Sequence, residues 1–414
     1  MKKVLLLVFV LVLASTAMIG RFVRPVEAGG TIYIRADGSI GGTTDIMTVD
    51  NVTYTFTANI NDSIVVERDN IIIDGAGYTL QGTVANFSKG IDLSNRNNVA
   101  IKNMKIKTFF FGIYLELSSN NTLFGNTIVG NQYGMFLYSS SNFNTIHGNN
   151  ITNYFGVWTG IGLSSSSNNT ISGNYIKYNE YGITIYDSSD HNTISGNNIT
   201  DSIRGINLYE SSNNKFYHNN FLDNIKHVYI YPYVHANFWD NGVEGNYWSN
   251  YAGDDSDNNG VGDSVRPIDG NNTDHYPLMG MFHSFNTTLG KHVNVISNST
   301  VDSFRYFESN STIIMHVSNM TANQTHGFCR VSIPYEVMSE PSNVTIDGAY
   351  PTYWNYTLYD NGTHRWIYFE YEHTTREIVI IPEFPTWTSM LLIFMMLSVA
   401  IAIYQRRLPK TPIH

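Results

Sequence analysis

Between Leu123 and Phe221 the apolar residues come in short runs at two-residue spacing, and the polar residues that interrupt them repeat. Leu123-Phe124-Gly125-Asn126-Thr127-Ile128, Ile146-His147-Gly148-Asn149-Asn150-Ile151, Ile171-Ser172-Gly173-Asn174-Tyr175-Ile176 and Ile194-Ser195-Gly196-Asn197-Asn198-Ile199 superimpose directly. Phe216-Tyr217-His218-Asn219-Asn220-Phe221 is a fifth copy in which the glycine is lost. A second apolar run follows a glycine in each copy: Gly112-Ile113-Tyr114-Leu115, Gly134-Met135-Phe136-Leu137, Gly160-Ile161-Gly162-Leu163, Gly182-Ile183-Thr184-Ile185 and Gly205-Ile206-Asn207-Leu208. A fixed period of about 23 residues marks a solenoid, and alternation within each run is strand spacing with one face buried. No stretch of the repeat has helical periodicity.

Strands this short, separated by Gly, Asn and Ser, fit the coils of a parallel β-helix stacked about 4.8 Å apart. Stacking predicts one interior file of Ile113, Met135, Ile161, Ile183 and Ile206, and another of Leu115, Leu137, Leu163, Ile185 and Leu208. Asn126, Asn149, Asn174, Asn197 and Asn219 are expected to form an amide ladder at a corner, with the preceding glycines supplying positive φ. Ser-Ser-Asn-Asn runs such as Ser118–Asn121 and Ser211–Asn214 mark a further bend. Weaker copies extend back to an Asp74-Gly75-Ala76-Gly77-Tyr78 turn, for about seven to nine coils.

The Gly-Asn coils, the Asp-Gly-Ala-Gly-Tyr turn and Gly245-Asn246-Tyr247-Trp248-Ser249 resemble archaeal right-handed β-helix proteins grouped as NosD-like and carbohydrate-binding/sugar-hydrolysis (CASH) repeats. The resemblance covers about residues 31–279. It implies a scaffold on which several chemistries occur, so function has to come from side chains.

The expected fold is therefore all-β: a right-handed parallel β-helix, a small antiparallel β-domain and a C-terminal transmembrane helix. Residues 1–28 read as a secretory leader, with Lys2 and Lys3 ahead of an apolar run and Val26-Glu27-Ala28 before the cut. Residues 29–69 read as a cap on the first coil, 70–249 as the β-helix, 250–282 as an acidic loop and linker, and 283–382 as a β-sandwich-like stalk. Pro382-Glu383-Phe384-Pro385 resembles the PEF-type sorting signal of archaeal surface proteins. Trp387–Tyr404 is long enough to cross a bilayer, and Gln405-Arg406-Arg407 begins a basic cytoplasmic tail. A sorting enzyme that removes the helix is implied by that resemblance alone.

Composition narrows the function. The 414 residues carry 14% aromatic and only 14% charged side chains, with 28 Tyr and a net charge of −10. That balance argues against a nucleic-acid partner and for a surface facing extracellular polysaccharide. A lone Cys329 excludes an intrachain disulfide framework. Asp255, Asp257, Asn259, Val261 and Asp263 stand at positions 1, 3, 5, 7 and 9 of a Ca²⁺-type loop, with Gly260 at the sharp turn. The loop resembles those of dockerin-like and thrombospondin type 3 modules, although Arg266 replaces the usual final acid. Sequons at Asn286, Asn298, Asn310, Asn319, Asn343, Asn355 and Asn361 make the stalk a candidate for N-glycosylation.

Several functions compete. Tyr114, Phe136, Tyr138, Tyr186 and Tyr209 are expected on the outward face, where flat rings at coil spacing suit sugars. This favours a surface protein that binds extracellular carbohydrate or serves as an envelope or adhesion component. A polysaccharide lyase or glycoside hydrolase needs clustered carboxylates and a basic group. Asp187 and Glu210, 23 positions apart, with Arg204 nearby, are the candidates for that chemistry. A copper accessory role, implied by the NosD resemblance, needs soft ligands together, whereas His147, His191, His218, His227 and His235 occur singly.

Overall fold

The computed structural model describes residues 30–153, 159–231, 236–339, 341–372, 374–382, 394–399, 401 and 403. The expected leader, the sorting motif, most of the expected membrane helix, the basic tail and His235 lie outside them. Among the described residues no helix is long and apolar enough to cross a membrane. The chain divides into two compact units: Met1–Asn169 with Ile176–Ser189, and Thr170–Tyr175 with Asp190–His414.

In the first unit every strand ladder between successive coils is parallel and in register. Ile113 pairs with Met135, Met135 with Ile161 and Ile161 with Ile183, and Leu115, Leu137, Leu163 and Ile185 form the neighbouring file. All eight side chains are fully buried. Each coil has three strands where the sequence pattern suggested two. Thr122–Phe124, Thr127–Val129 and Tyr133–Tyr138 make one turn, because Gly125 at φ 63° bends the chain in the middle of the first run. The glycines opening the long strands have a different reason. A Cβ on Gly112 or Gly134 would lie 2.5 Å from the carbonyl oxygen of the next coil's glycine.

Parallel pairing also begins earlier than expected. Thr31–Ile34 pairs with Ser63–Val66, so residues 31–69 are coil and not only cap. Main-chain pairing needs strand length and alternation but no Gly-Asn corner, which is why the weaker spelling misled. The capping is done by Ile40–Gly41, which lies antiparallel on Thr31–Ile34 and covers that edge.

The second unit holds coil strands and a sandwich. Thr170–Ser172, Thr193–Ser195 and Lys215–Tyr217 form one parallel ladder, Asn198–Thr200, Asn220–Leu222 and Tyr247–Trp248 another. Ile206 pairs with Val228 on the third side. Two tryptophans close this stack: Trp239 lies 4.3 Å over Phe216 and Trp248 4.3 Å over Phe221. Their indole N–H groups donate to Asn272 Oδ1 and Asp274 Oδ2. Phe238, beside Trp239, is 52% exposed. From Met281 onward a five-stranded and a four-stranded antiparallel sheet enclose one aliphatic core that includes Val331, Ile367, Met315 and Ile378. Residues 281–382 thus form two packed antiparallel sheets, the sandwich-like arrangement expected for 283–382.

Candidate functional site

Two places gather side chains with chemistry. The first is the outward face of the long-strand ladder in the first unit. Alternation turns Tyr114 and Phe136 away from the interior file, as expected, but they are not free faces: each is only 8% exposed. Phe111, Tyr133 and Tyr186 pack around them, with Phe111–Phe136 stacked at 5.3 Å and Phe136–Tyr138 at 6.1 Å. The sequence spacing located these rings but did not reveal that Phe110, Phe111 and Tyr133, at strand starts, would fill the gaps between them. Gly162 sits in the same file, and any side chain there would strike Phe136, since a Cβ would be 2.7 Å from its ring. The patch therefore presents Tyr138, 41% exposed, and Phe87, 73% exposed, at its margins. Lys89 Nζ stands 3.8 Å over the Tyr114 ring and pairs with Asp92 at 2.7 Å. Burial pushes the Tyr114 and Tyr186 phenols up, so both stay neutral donors.

Asp187 and Glu210 fall in different units. Asp187 has φ 54° and accepts a hydrogen bond from Ser164 Oγ at 2.9 Å. Glu210 is exposed at φ 46°, and Arg204 lies 4.1 Å over the Tyr229 ring. Tyr209, also in the second unit, is 38% exposed and meets Tyr231 edge-on at 5.4 Å.

The second place was not singled out by sequence. His218 occupies the corner where the other copies carry glycine, and it keeps the left-handed backbone, at φ 60°. That conformation is unfavourable for a residue with a side chain, so its environment has to hold it. The imidazole stacks 4.0 Å from Phe282, and its Nε2 meets Glu244 Oε2 at 2.7 Å. Glu244 Oε1 is 2.7 Å from the guanidinium of Arg330, which reaches over from the sandwich strand His326–Pro334. Burial opposes the Glu244 charge, but the hydrogen bond to His218, the Arg330 charge and a further hydrogen bond from Trp366 outweigh it and hold the carboxyl below its usual range. His218 and Glu244 border a cleft of about 410 Å³ whose wall includes Asn294, Ser332, Tyr359 and Trp366. The lost glycine in the fifth copy was the sequence signal for this site.

The acidic loop closes on itself. Asp255 accepts from the Asn259 and Gly260 amides, Asn259 Oδ1 from the Val261 amide, and Asp263 from the Ser256 amide. Burial, then the neighbouring Asp257, push the Asp255 carboxyl up. Of the sequons, Asn286, Asn310, Asn319 and Asn361 are exposed, whereas Asn298 and Asn343 are half-buried. Asn298 is also engaged with Phe328 and His326. The Asn355 side chain lies outside the described residues.

Residues 29–253 match the family model described as periplasmic copper-binding protein (NosD). No curated protein matches the chain. Among solved structures, a mutant of the periplasmic alginate epimerase AlgG is 20% identical at a TM-score of 0.35, over 50% of this chain and 52% of that one. The chain thus spans about half the length of that epimerase. The tailspike protein of E. coli bacteriophage HK620, in complex with a pentasaccharide, is 11% identical at 0.34, over 80% and 73%. The family description invites a test for copper against the donors of the described residues. Among the described residues no three His, Cys, Asp or Glu side chains converge. His147 stacks on Phe124, His227 is buried beside Asn224, Met135 lies in the β-helix interior, and Met315 and Cys329 are packed among the apolar side chains of the sandwich core.

Proposed function

The chain belongs to the NosD family, and on that premise we propose that it is a surface β-helix protein that binds extracellular carbohydrate on the aromatic face of its first unit. The observation that carries this reading is the packed ring cluster around Phe136, continuous over successive coils and edged by Lys89, Asp92 and Glu116. Tyr138 and Phe87, exposed at the margin and backed by the packed rings, lose little freedom when a sugar stacks on them, and phenols and carboxylates at the edge bond its hydroxyls. On a glycan array the full chain retains polysaccharide ligands, and Tyr138→Ala with Tyr186→Ala weakens retention about tenfold. Equal retention by the double variant removes the assignment. Turnover of an acidic polysaccharide, lost on Asp187→Ala or Glu210→Ala, favours the lyase or hydrolase alternative.

Two accessory features complete the proposal. Residues 1–28 export the protein, and residues 387–404 tether it or are exchanged for another anchor by a sorting enzyme that reads the motif at 383–386, as in archaeal surface proteins. The intact mass of the native protein separates these fates, and a full-length mass rules out both cleavages. We further propose that the acidic loop takes a structural Ca²⁺ through Asp255, Asp257, Asn259, Asp263 and the Val261 carbonyl, the three carboxylates drawing together around the ion from positions in which they do not converge. A cation there would relieve the crowding of Asp255 and Asp257. Chelation then lowers the melting temperature of the native chain and leaves Asp257→Ala unaffected. An unchanged midpoint in the native chain reduces the loop to an acidic turn. Glycans on the exposed sequons would add to the extracellular surface.

A further inference from the structure

We infer that the cleft beside His218 and Glu244 is a second ligand site, built for one neutral hexose unit and independent of the aromatic face. Asn294 Oδ1, in the cleft wall, is buried without a hydrogen-bond partner, whereas both Glu244 oxygens are engaged, Oε1 by Arg330 and Oε2 by His218. The free acceptor calls for a ligand that brings a donor. The polar wall is reinforced by Ser332, which is 5% exposed.

The opposite wall is aromatic. Tyr359 and Trp366 meet at 5.0 Å with their planes at 52°, and Tyr359 is 48% exposed. A pyranose has this combination of an apolar face of C–H groups and a girdle of hydroxyl donors. The cleft volume of about 410 Å³ accommodates a single ring. The guanidinium nearest the cleft, Arg330, is already engaged by Glu244 at 2.7 Å, so a ligand carboxylate gains no free guanidinium there, whereas a ring hydroxyl supplies the donor that Asn294 Oδ1 lacks. The site therefore selects a neutral sugar over a uronate. The left-handed backbone of His218 fits the same picture, because the corner glycine has been exchanged for the one group that orients Glu244 at the cleft wall.

The test uses the full chain with methyl β-D-glucopyranoside and D-glucuronate as probes, read by saturation-transfer NMR and titration. The glucoside saturates and the uronate binds at least tenfold more weakly. Tyr359→Ala and, separately, Asn294→Ala each weaken the glucoside about tenfold, while Tyr138→Ala with Tyr186→Ala leaves it unchanged. Tyr359 is a surface residue, so its loss does not depend on refolding the sandwich; circular dichroism of both variants checks this. Tighter uronate binding, no glucoside binding, or glucoside binding indifferent to both cleft variants overturns the assignment. Loss of glucoside binding only in the Tyr138 and Tyr186 variant transfers the ligand to the aromatic face.

Discussion

Asn197→Ala is expected to destabilise the protein by about 3–5 kcal/mol, among the largest effects of any single substitution that leaves the aliphatic interior intact. The side chain is fully buried and holds both directions of a ladder. Its Oδ1 accepts from the Asn174 amide and from Asn174 Nδ2, both at 2.9 Å. Its Nδ2 donates to the Ile171 carbonyl at 2.9 Å and to Asn219 Oδ1 at 2.9 Å. Truncation strands the two Asn174 donors and the Ile171 carbonyl on the preceding coil and Asn219 Oδ1 on the following one. The cost is the desolvation of those groups and not merely the net value of one hydrogen bond. Urea titration measures it. Lys215→Ala, at an exposed position of a neighbouring coil strand, shifts the midpoint by less than about 0.5 kcal/mol. A comparably small shift for Asn197→Ala would mean that the ladder is ornamental.

Arg330→Met is the second large effect, at about 3–5 kcal/mol, because it leaves the Glu244 carboxylate buried beside one imidazole. Arg330 is 5% exposed and also donates to the Asn259 carbonyl at 3.0 Å, so it ties the sandwich to the acidic loop. Adding Glu244→Gln recovers much of the loss, since the double variant no longer buries an unpaired charge. The same pair sets a pH dependence. The Glu244 pKa is lower folded than unfolded, so the unfolded chain binds the extra proton in acid. Its contribution is complete above the ordinary carboxylate range and is lost as pH falls through the folded value. Glu244→Gln flattens that acid limb in thermal melts taken from pH 7 downward. If the single Arg330 variant costs nothing, the triad does not hold the elements together.

The particular failures of the sequence reading have physical causes. The files through Ile113 and Leu115 were legible because each coil touches its neighbours in sequence, so one period fixes every contact along the stack. The third strand per coil was missed because three-residue strands leave only one buried side chain each, too few to display alternation. Tyr114 and Phe136 were correctly turned outward, yet Phe111 and Tyr133 cover them from strand starts that alternation does not rank as buried.

The amino-acid order alone determined the solenoid, its corners and the sandwich that follows, since these depend on separations that recur or on local turn chemistry. Only the three-dimensional arrangement brought His218, Glu244 and Trp366 to one cleft and set Arg330 against Glu244. They come from a coil corner, a closing loop and two sandwich strands, positions that share no period. Their meeting depends on how the sandwich seats against the last coils, where Asn220 exchanges two hydrogen bonds with the Phe282 backbone. A one-dimensional pattern can encode contacts between neighbours, but not which distant surfaces pack together.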